Sequence, residues 1–151
     1  MIQKTVLEFS TTLNASAKDV FEFHLNFENA LKITPTLFQV RIKHSPAILA
    51  EGSNITVEMC LFGICLPWDV QIITIIPHSL IIDKQSRRGP FESWKHEHHF
   101  IEKNGCCVMT DKIEYLMPLG IIGWFLDRIA IRYIQKLVFD YRHAKMKSIF
   151  P

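Results

Sequence analysis

The apolar residues of the chain change their period along its length. From Lys4 to Leu13 they alternate, with Leu7, Phe9 and Leu13 on one side, and a period of two predicts a half-buried strand. Ser16 then precedes Ala-Lys-Asp-Val-Phe-Glu-Phe-His-Leu as a helix N-cap, and Val20, Phe21 and His24 or Leu25 form a helical stripe. The run Phe27 to Ile33 extends that helix or repeats it as a second short one, and Pro35 ends the region. Six segments rich in β-branched and aromatic residues follow: Leu37 to Lys43, Asn54 to Phe62, Cys65 to Ile76, Leu80 to Ser86, Phe91 to Lys103 and Cys106 to Met117. Turn signals such as Phe62-Gly63, Pro77-His78 and Asn104-Gly105 separate them. No proline interrupts Leu119 to about Ile149, where Ile122, Leu126, Ile129, Tyr133, Leu137, Tyr141 and Ala144 fall on one face. That predicts a single helix about 45 Å long, with Asp127, Arg128, Gln135, Lys136 and Arg142 turned to water. The order is strand, two short helices, six strands, long helix. It predicts an α+β domain in which a seven-stranded antiparallel sheet covers the apolar stripe of the C-terminal helix.

The register of the sheet can be argued from the turns. Asn104-Gly105 suits a two-residue type I′ hairpin, because both central residues need positive φ. That turn sets Lys95 opposite Glu114 and Glu97 opposite Lys112 on one face, two opposite-charge pairs. The other face then carries Trp94 opposite Tyr115, His96 opposite Ile113, His98 opposite Asp111 and Phe100 opposite Met109. Taking Arg87 to Pro90 as a four-residue loop sets Asp83 against Trp94 and Gln85 against Glu92; a tight Pro77-His78 turn sets Ile72 against Asp83. The inner face gathers Trp68, Thr74, Asp83, Gln85, Trp94, His96, His98, Asp111 and Tyr115 among its aliphatic residues, while Asp69 and most other charges go to solvent. A face made only to pack a helix would be plainly aliphatic, since each unpartnered buried polar group costs about 1–3 kcal/mol. These residues therefore either close a hydrogen-bond network or line a cavity that holds a ligand.

Composition narrows the functional classes. The 151 residues make one domain, spanning 1–151. With 48% hydrophobic and 21% charged residues the chain is not disordered. A net charge of +2 without a dense Lys/Arg run argues against nucleic acid as a partner. The N-terminal residues lack an apolar signal region and the run Leu116 to Leu126 is too short to span a bilayer, so a cytoplasmic protein is expected. That run is expected to pack at the helix start; membrane contact, helped by Arg128, Arg132 and Lys136, is the weaker alternative. Arg87-Arg88 reads as a solvated turn. The four cysteines read as idle thiols, although Cys60 and Cys65 flank a turn and can face each other. No phosphate-cradling Gly-rich loop, serine elbow or Cys-His dyad is present.

Taken together, Phe62-Gly63, Trp68, Asp83-Lys84-Gln85, Gly89-Pro90-Phe91, Trp94-Lys95-His96-Glu97-His98, Asp111-Lys112-Ile113-Glu114-Tyr115 and Pro118-Leu119-Gly120 resemble the ligand-binding SRPBCC group. That group belongs to the START-like, birch-pollen-allergen-like superfamily and includes polyketide cyclase/dehydratase-like proteins. The resemblance covers essentially the whole chain and implies the helix-grip fold, a curved antiparallel sheet around a long C-terminal helix with a cavity between them. It implies less about activity, because such folds carry lipids, cyclise polyketides or sense hormones. The expected function is binding, as carrier or sensor, of a small hydrophobic or amphipathic molecule. Trp68, Asp83, Gln85, Phe91, Trp94, His96, His98, Asp111 and Tyr115 are the candidate ligand-binding residues. The alternative is a cyclase/dehydratase-like enzyme using His96 and His98 as acid and base, with Asp111 orienting an imidazole. His96 and His98 with Asp83 or Asp111 would also be an acceptable donor set for zinc or iron. The resemblance brings no metal, so neither a metal nor another cofactor is expected.

Overall fold

Seven strands pair antiparallel throughout, in the order β1-β7-β6-β5-β4-β3-β2, in a computed structural model that describes residues 1–151. They are β1 (Thr5–Leu13), β2 (Gln39–His44), β3 (Asn54–Leu61), β4 (Ile64–Ile76), β5 (Leu80–Gln85), β6 (Ser93–Lys103) and β7 (Cys106–Leu116). Between β1 and β2 lie α1 (Ala17–Leu25) and α2 (Asn29–Lys32). Ser16 caps α1 by accepting the Asp19 N–H at 3.0 Å. Six strands from β2 to β7 form a meander, and β1 pairs with β7, the chain crossing from β1 to the far edge through α1 and α2. Irregularities at Ile42/His44 and Ile72/Thr74 bend the sheet around the C-terminal helix, as the helix-grip architecture requires.

The β6–β7 hairpin has the register read from Asn104-Gly105. Both residues are at positive φ, and Lys95 faces Glu114, Glu97 faces Lys112, and His98 faces Asp111. Two other turns differ from expectation. The loop between β5 and β6 spans Ser86–Glu92, so Asp83 faces His96 instead of Trp94. The shift is by two residues, which moves partners but leaves every side chain on its face. The Pro77 turn is one residue longer, with Ile76 opposite Leu80; the bulge near Ile73 absorbs the difference and restores Ile72 opposite Asp83. Beyond that bulge Ile75, opposite Ile81, takes the core side that Thr74 was expected to fill.

Asp69 is the clearest error of exposure. It is buried at 3% exposure and accepts two hydrogen bonds from the Arg88 guanidinium, at 2.7 and 3.1 Å, and one from Thr56. Arg88 therefore pins the β5–β6 loop to β4, and is not a free cation of a solvated turn. The Arg88 bonds hold the Asp69 carboxyl well below its usual range. Cys60 and Cys65, facing each other across the β3–β4 hairpin, form a disulfide, which corrects the reading of all four as idle thiols. Cys106 and Cys107 remain thiols, and burial pushes Cys107 up to about 11.

The C-terminal helix runs from Ile121 to Ile149 but not as one regular α-helix. It consists of α3 (Ile121–Leu126), a π turn at Asp127–Ile131 and α4 (Arg132–Ile149). Its sheet-facing stripe lies one residue later than expected before the π turn and two residues later after it: Gly123, Asp127, Phe139, His143 and Met146 are buried, whereas Ile122 is 61% and Leu137 70% exposed. Asp127, expected in water, is held by Tyr115 Oη, Thr5 Oγ1 and Arg132. The π turn sits at the residue that reaches inward to make these bonds. Phe139 stacks on Phe9 with ring centroids 4.9 Å apart, and Met146 enters the core formed by Leu13, Val20, Phe21 and Met109. The aliphatic residues that suggested the stripe face outward. Leu119, Ile121, Ile122 and Phe125 are exposed, so the Leu116–Leu126 segment does not pack into the core as expected. No helix is long and apolar enough to cross a membrane.

Candidate functional site

Between the sheet, α1 and α4 lies a cavity of about 520 Å³. Its walls are mostly hydrophobic, and its volume is in the range of small-molecule sites. The strand alternation that buries one face of β4, β5 and β6 aims Trp68, Asp83, Trp94, His96 and His98 into it, and Phe91 joins from the β5–β6 loop. These are six of the nine expected residues. The other three lie outside. Gln85 donates to the Phe91 carbonyl at 2.7 Å and shapes the loop. Asp111, 1% exposed, stands behind the histidines, and Tyr115 is fully buried against Asp127.

Aromatic side chains form one wall. Trp68 meets Trp94 edge-on at 5.3 Å, and Phe91 stacks on Trp94 at 4.8 Å. The polar end is built around Asp111. Its Oδ1 accepts from His96 Nε2 at 2.8 Å and its Oδ2 from His143 Nε2 at 2.6 Å. His98 Nδ1 lies 3.0 Å from the same Oδ1 but off line for a hydrogen bond, while His98 Nε2 donates to Asp83 Oδ2 at 3.3 Å. The two imidazoles are tilted by 39° to one another, with centroids 3.8 Å apart.

This geometry separates their protonation. Burial alone would lower His98, but carboxylates on both sides raise it to about 9, so it is cationic at neutral pH. Burial and the neighbouring His98 charge lower His96, which stays neutral. Burial would raise Asp111, yet the bonds from His143 and His96 and the close His98 ring hold it well below the usual carboxylate range. His24, on α1, donates to the Val20 carbonyl at 2.8 Å and packs against His98; burial and that charge push it down to about 3.

Besides His98 Nδ1, which has the Asp111 carboxylate beside it, two donors at the cavity have no protein partner. Trp68 Nε1 and Arg142 Nε are both buried and unbonded. Arg142 makes no salt bridge, and the only aromatic contact of its guanidinium is the Phe139 ring at 5.6 Å. Sequence reasoning places Arg142 and Gln135 in solvent, and misses Phe139 as a lining residue, because it follows the aliphatic stripe; all three line the cavity. The adjacent pair Arg142-His143, polar but in phase with Phe139 and Met146, is the signal that could have revealed the true face.

Two expected results follow from this arrangement. Since His96 belongs to a bonded network, His96→Phe should strand an Asp111 acceptor and lower ligand-free stability by about 1–3 kcal/mol in urea unfolding. An unchanged midpoint would contradict the network. The second concerns pH. His24 is depressed in the folded state, so its contribution is present above its unfolded value near 6.5 and is lost as pH falls toward about 3. His98 is raised, so its contribution is present below about 6.5 and lost as pH climbs toward about 9. Together they give a stability maximum near pH 6.5, with each limb falling by roughly 1 kcal/mol per pH unit. Urea midpoints measured across this range check it; a midpoint still rising above about pH 7 would contradict the His98 assignment.

The polyketide cyclase / dehydrase and lipid transport family matches residues 13–140. Among solved structures, ginseng major latex-like protein 151 from Panax ginseng is similar with a TM-score of 0.73 at 15% identity, covering 99% of each chain. Protein CV1439 from Chromobacterium violaceum gives 0.74 at 12% identity, covering 96% of each. TTHA0849 from Thermus thermophilus gives 0.73 at 8% identity, covering 97% of this chain and 100% of its own. These likenesses establish the fold. No curated protein matches the sequence. The extent of the family match, across strands β2 to β7 and most of the C-terminal helix, shows that this chain belongs to the polyketide cyclase / dehydrase and lipid transport family.

Proposed function

We propose that the protein binds one small hydrophobic or aromatic molecule in the sheet–helix cavity, as a carrier or sensor, and that the molecule carries an acidic or strongly accepting group. The observation that carries this reading is the pair of unpartnered buried donors, Trp68 Nε1 and Arg142 Nε, at a mostly apolar cavity. An unmet buried donor is unfavourable, and a guanidinium more so, unless the ligand supplies the acceptor. The apolar body would lie along Trp68, Phe91 and Trp94, with its acceptor group at Arg142. The reading keeps the protein in the cytoplasm.

Displacement of an environment-sensitive apolar dye by aromatic carboxylates tests the proposal. Arg142→Met should weaken acidic competitors by about tenfold or more and leave their neutral amides nearly unaffected. Equal losses for both, or none for either, would remove Arg142 as the anchor.

A second reading is a cyclase/dehydratase-like enzyme on the same pocket. It is favoured by the opposite displacement of His96 and His98, since neighbouring groups pushed apart in pKa can supply a base and an acid. A carrier should retain binding when both histidines are replaced and show no turnover. An enzyme should lose turnover of a polyketide-like substrate with either replacement.

A further inference from the structure

Asp83, His96 and His98 each present one donor atom at the cavity wall, and these atoms lie within 4.8 Å of one another. We infer that they form a binding site for a divalent first-row transition metal, with open coordination positions facing the cavity. His96 Nδ1 is 3.8 Å and His98 Nε2 3.3 Å from Asp83 Oδ2. Ligands about 2.0–2.2 Å from a tetrahedral ion stand roughly 3.3–3.6 Å from one another. The present spacing therefore needs only a small closure, and the ion takes the place of the proton that His98 Nε2 now shares with Asp83.

The ring nitrogens that face away are the stronger argument. His96 Nε2 donates to Asp111 Oδ1, and His98 Nδ1 lies 3.0 Å from that same oxygen. A carboxylate only accepts, so a neutral His96 that donates through Nε2 carries its lone pair on Nδ1, toward Asp83. One carboxylate thus stands behind both rings, as outer-shell carboxylates do behind metal-ligating histidines. Asp111 is itself fixed by His143. The donor set of two imidazoles and one carboxylate suits zinc or ferrous iron and leaves positions for a ligand oxygen. Such an ion would polarise that oxygen as a Lewis acid. The site shares the cavity of the preceding reading but does not require it, because the probe is the metal alone.

The test is calorimetric titration of chelator-treated, oxidised protein with Zn²⁺ and with Co²⁺. One ion should bind per chain. Asp83→Asn, which keeps the side chain's shape, should weaken it at least tenfold, and Asp111→Asn should weaken it about 10–100-fold. A double Cys60→Ser/Cys65→Ser variant should bind as the wild type does, since Glu58, Cys60 and Cys65 are a separate group of potential donors. Urea melts of each variant without metal establish that it is folded; added Zn²⁺ should raise the wild-type midpoint and not that of Asp83→Asn. No saturable binding to wild type, undiminished binding to folded Asp83→Asn, or loss in the cysteine variant would each overturn the site. Apolar ligand bound by a protein that takes no metal would sink the metal site and leave the ligand reading standing.

Discussion

Asp111→Leu should destabilise the ligand-free protein by about 3–5 kcal/mol, a large share of the stability of a domain this size. The carboxylate is 1% exposed, bonds His96 and His143, and faces His98 across the β6–β7 ladder. Leucine fills similar space but accepts nothing. It leaves three inward imidazoles without their shared partner and the His98 cation with Asp83 alone. The check is the urea midpoint against wild type, with Lys136→Ala as a comparison. Lys136 makes an exposed pair with Asp140 on the outer face of α4, and its removal should change stability by less than about 0.5 kcal/mol. Similar midpoints for Asp111→Leu and wild type would mean that the histidines do not depend on this carboxylate.

Truncation after Lys136 should have the larger effect: no cooperative unfolding transition should remain. The missing residues include Phe139, stacked on Phe9, His143, bonded to Asp111, and Met146, fully buried in the core around α1. Loss of one buried aromatic already costs about 3–5 kcal/mol. Removing all three exposes the helix-facing side of the sheet and exceeds the usual total of about 5–15 kcal/mol. Circular dichroism during urea titration checks this. A sharp transition at the wild-type midpoint would contradict an architecture in which the sheet depends on α4.

The sheet was more legible in the sequence than the helix, for a physical reason. A strand shows its facing every second residue, and an error of two in pairing, as at Asp83, changes neighbours without turning any side chain over. The trio Asp83, His96 and His98 therefore emerged on the correct face from an incorrect loop length. A helix offers no such protection. The stripe from Ile122 to Leu137 followed aliphatic residues, but the side that meets the sheet must satisfy Asp111, Tyr115 and the cavity, and uses Asp127, Arg142 and His143 to do so. Hydrophobic periodicity fails where the buried face is itself polar. Asp69 escaped for a related reason: its alternation was read correctly, but the Arg88 loop folds over the outer face and buries it there. The Asp127 contacts depend on the π turn, which no spacing rule anticipates.

The central claim is a cavity that holds one amphipathic molecule, and native mass spectrometry of the protein purified from its own host tests it most directly. The account predicts a species carrying one small organic molecule per chain, released when the protein is denatured. That molecule should be apolar over most of its surface, with an acidic or accepting group for Arg142. A spectrum with only the bare polypeptide, unchanged after incubation with extract of the same cells, would contradict it.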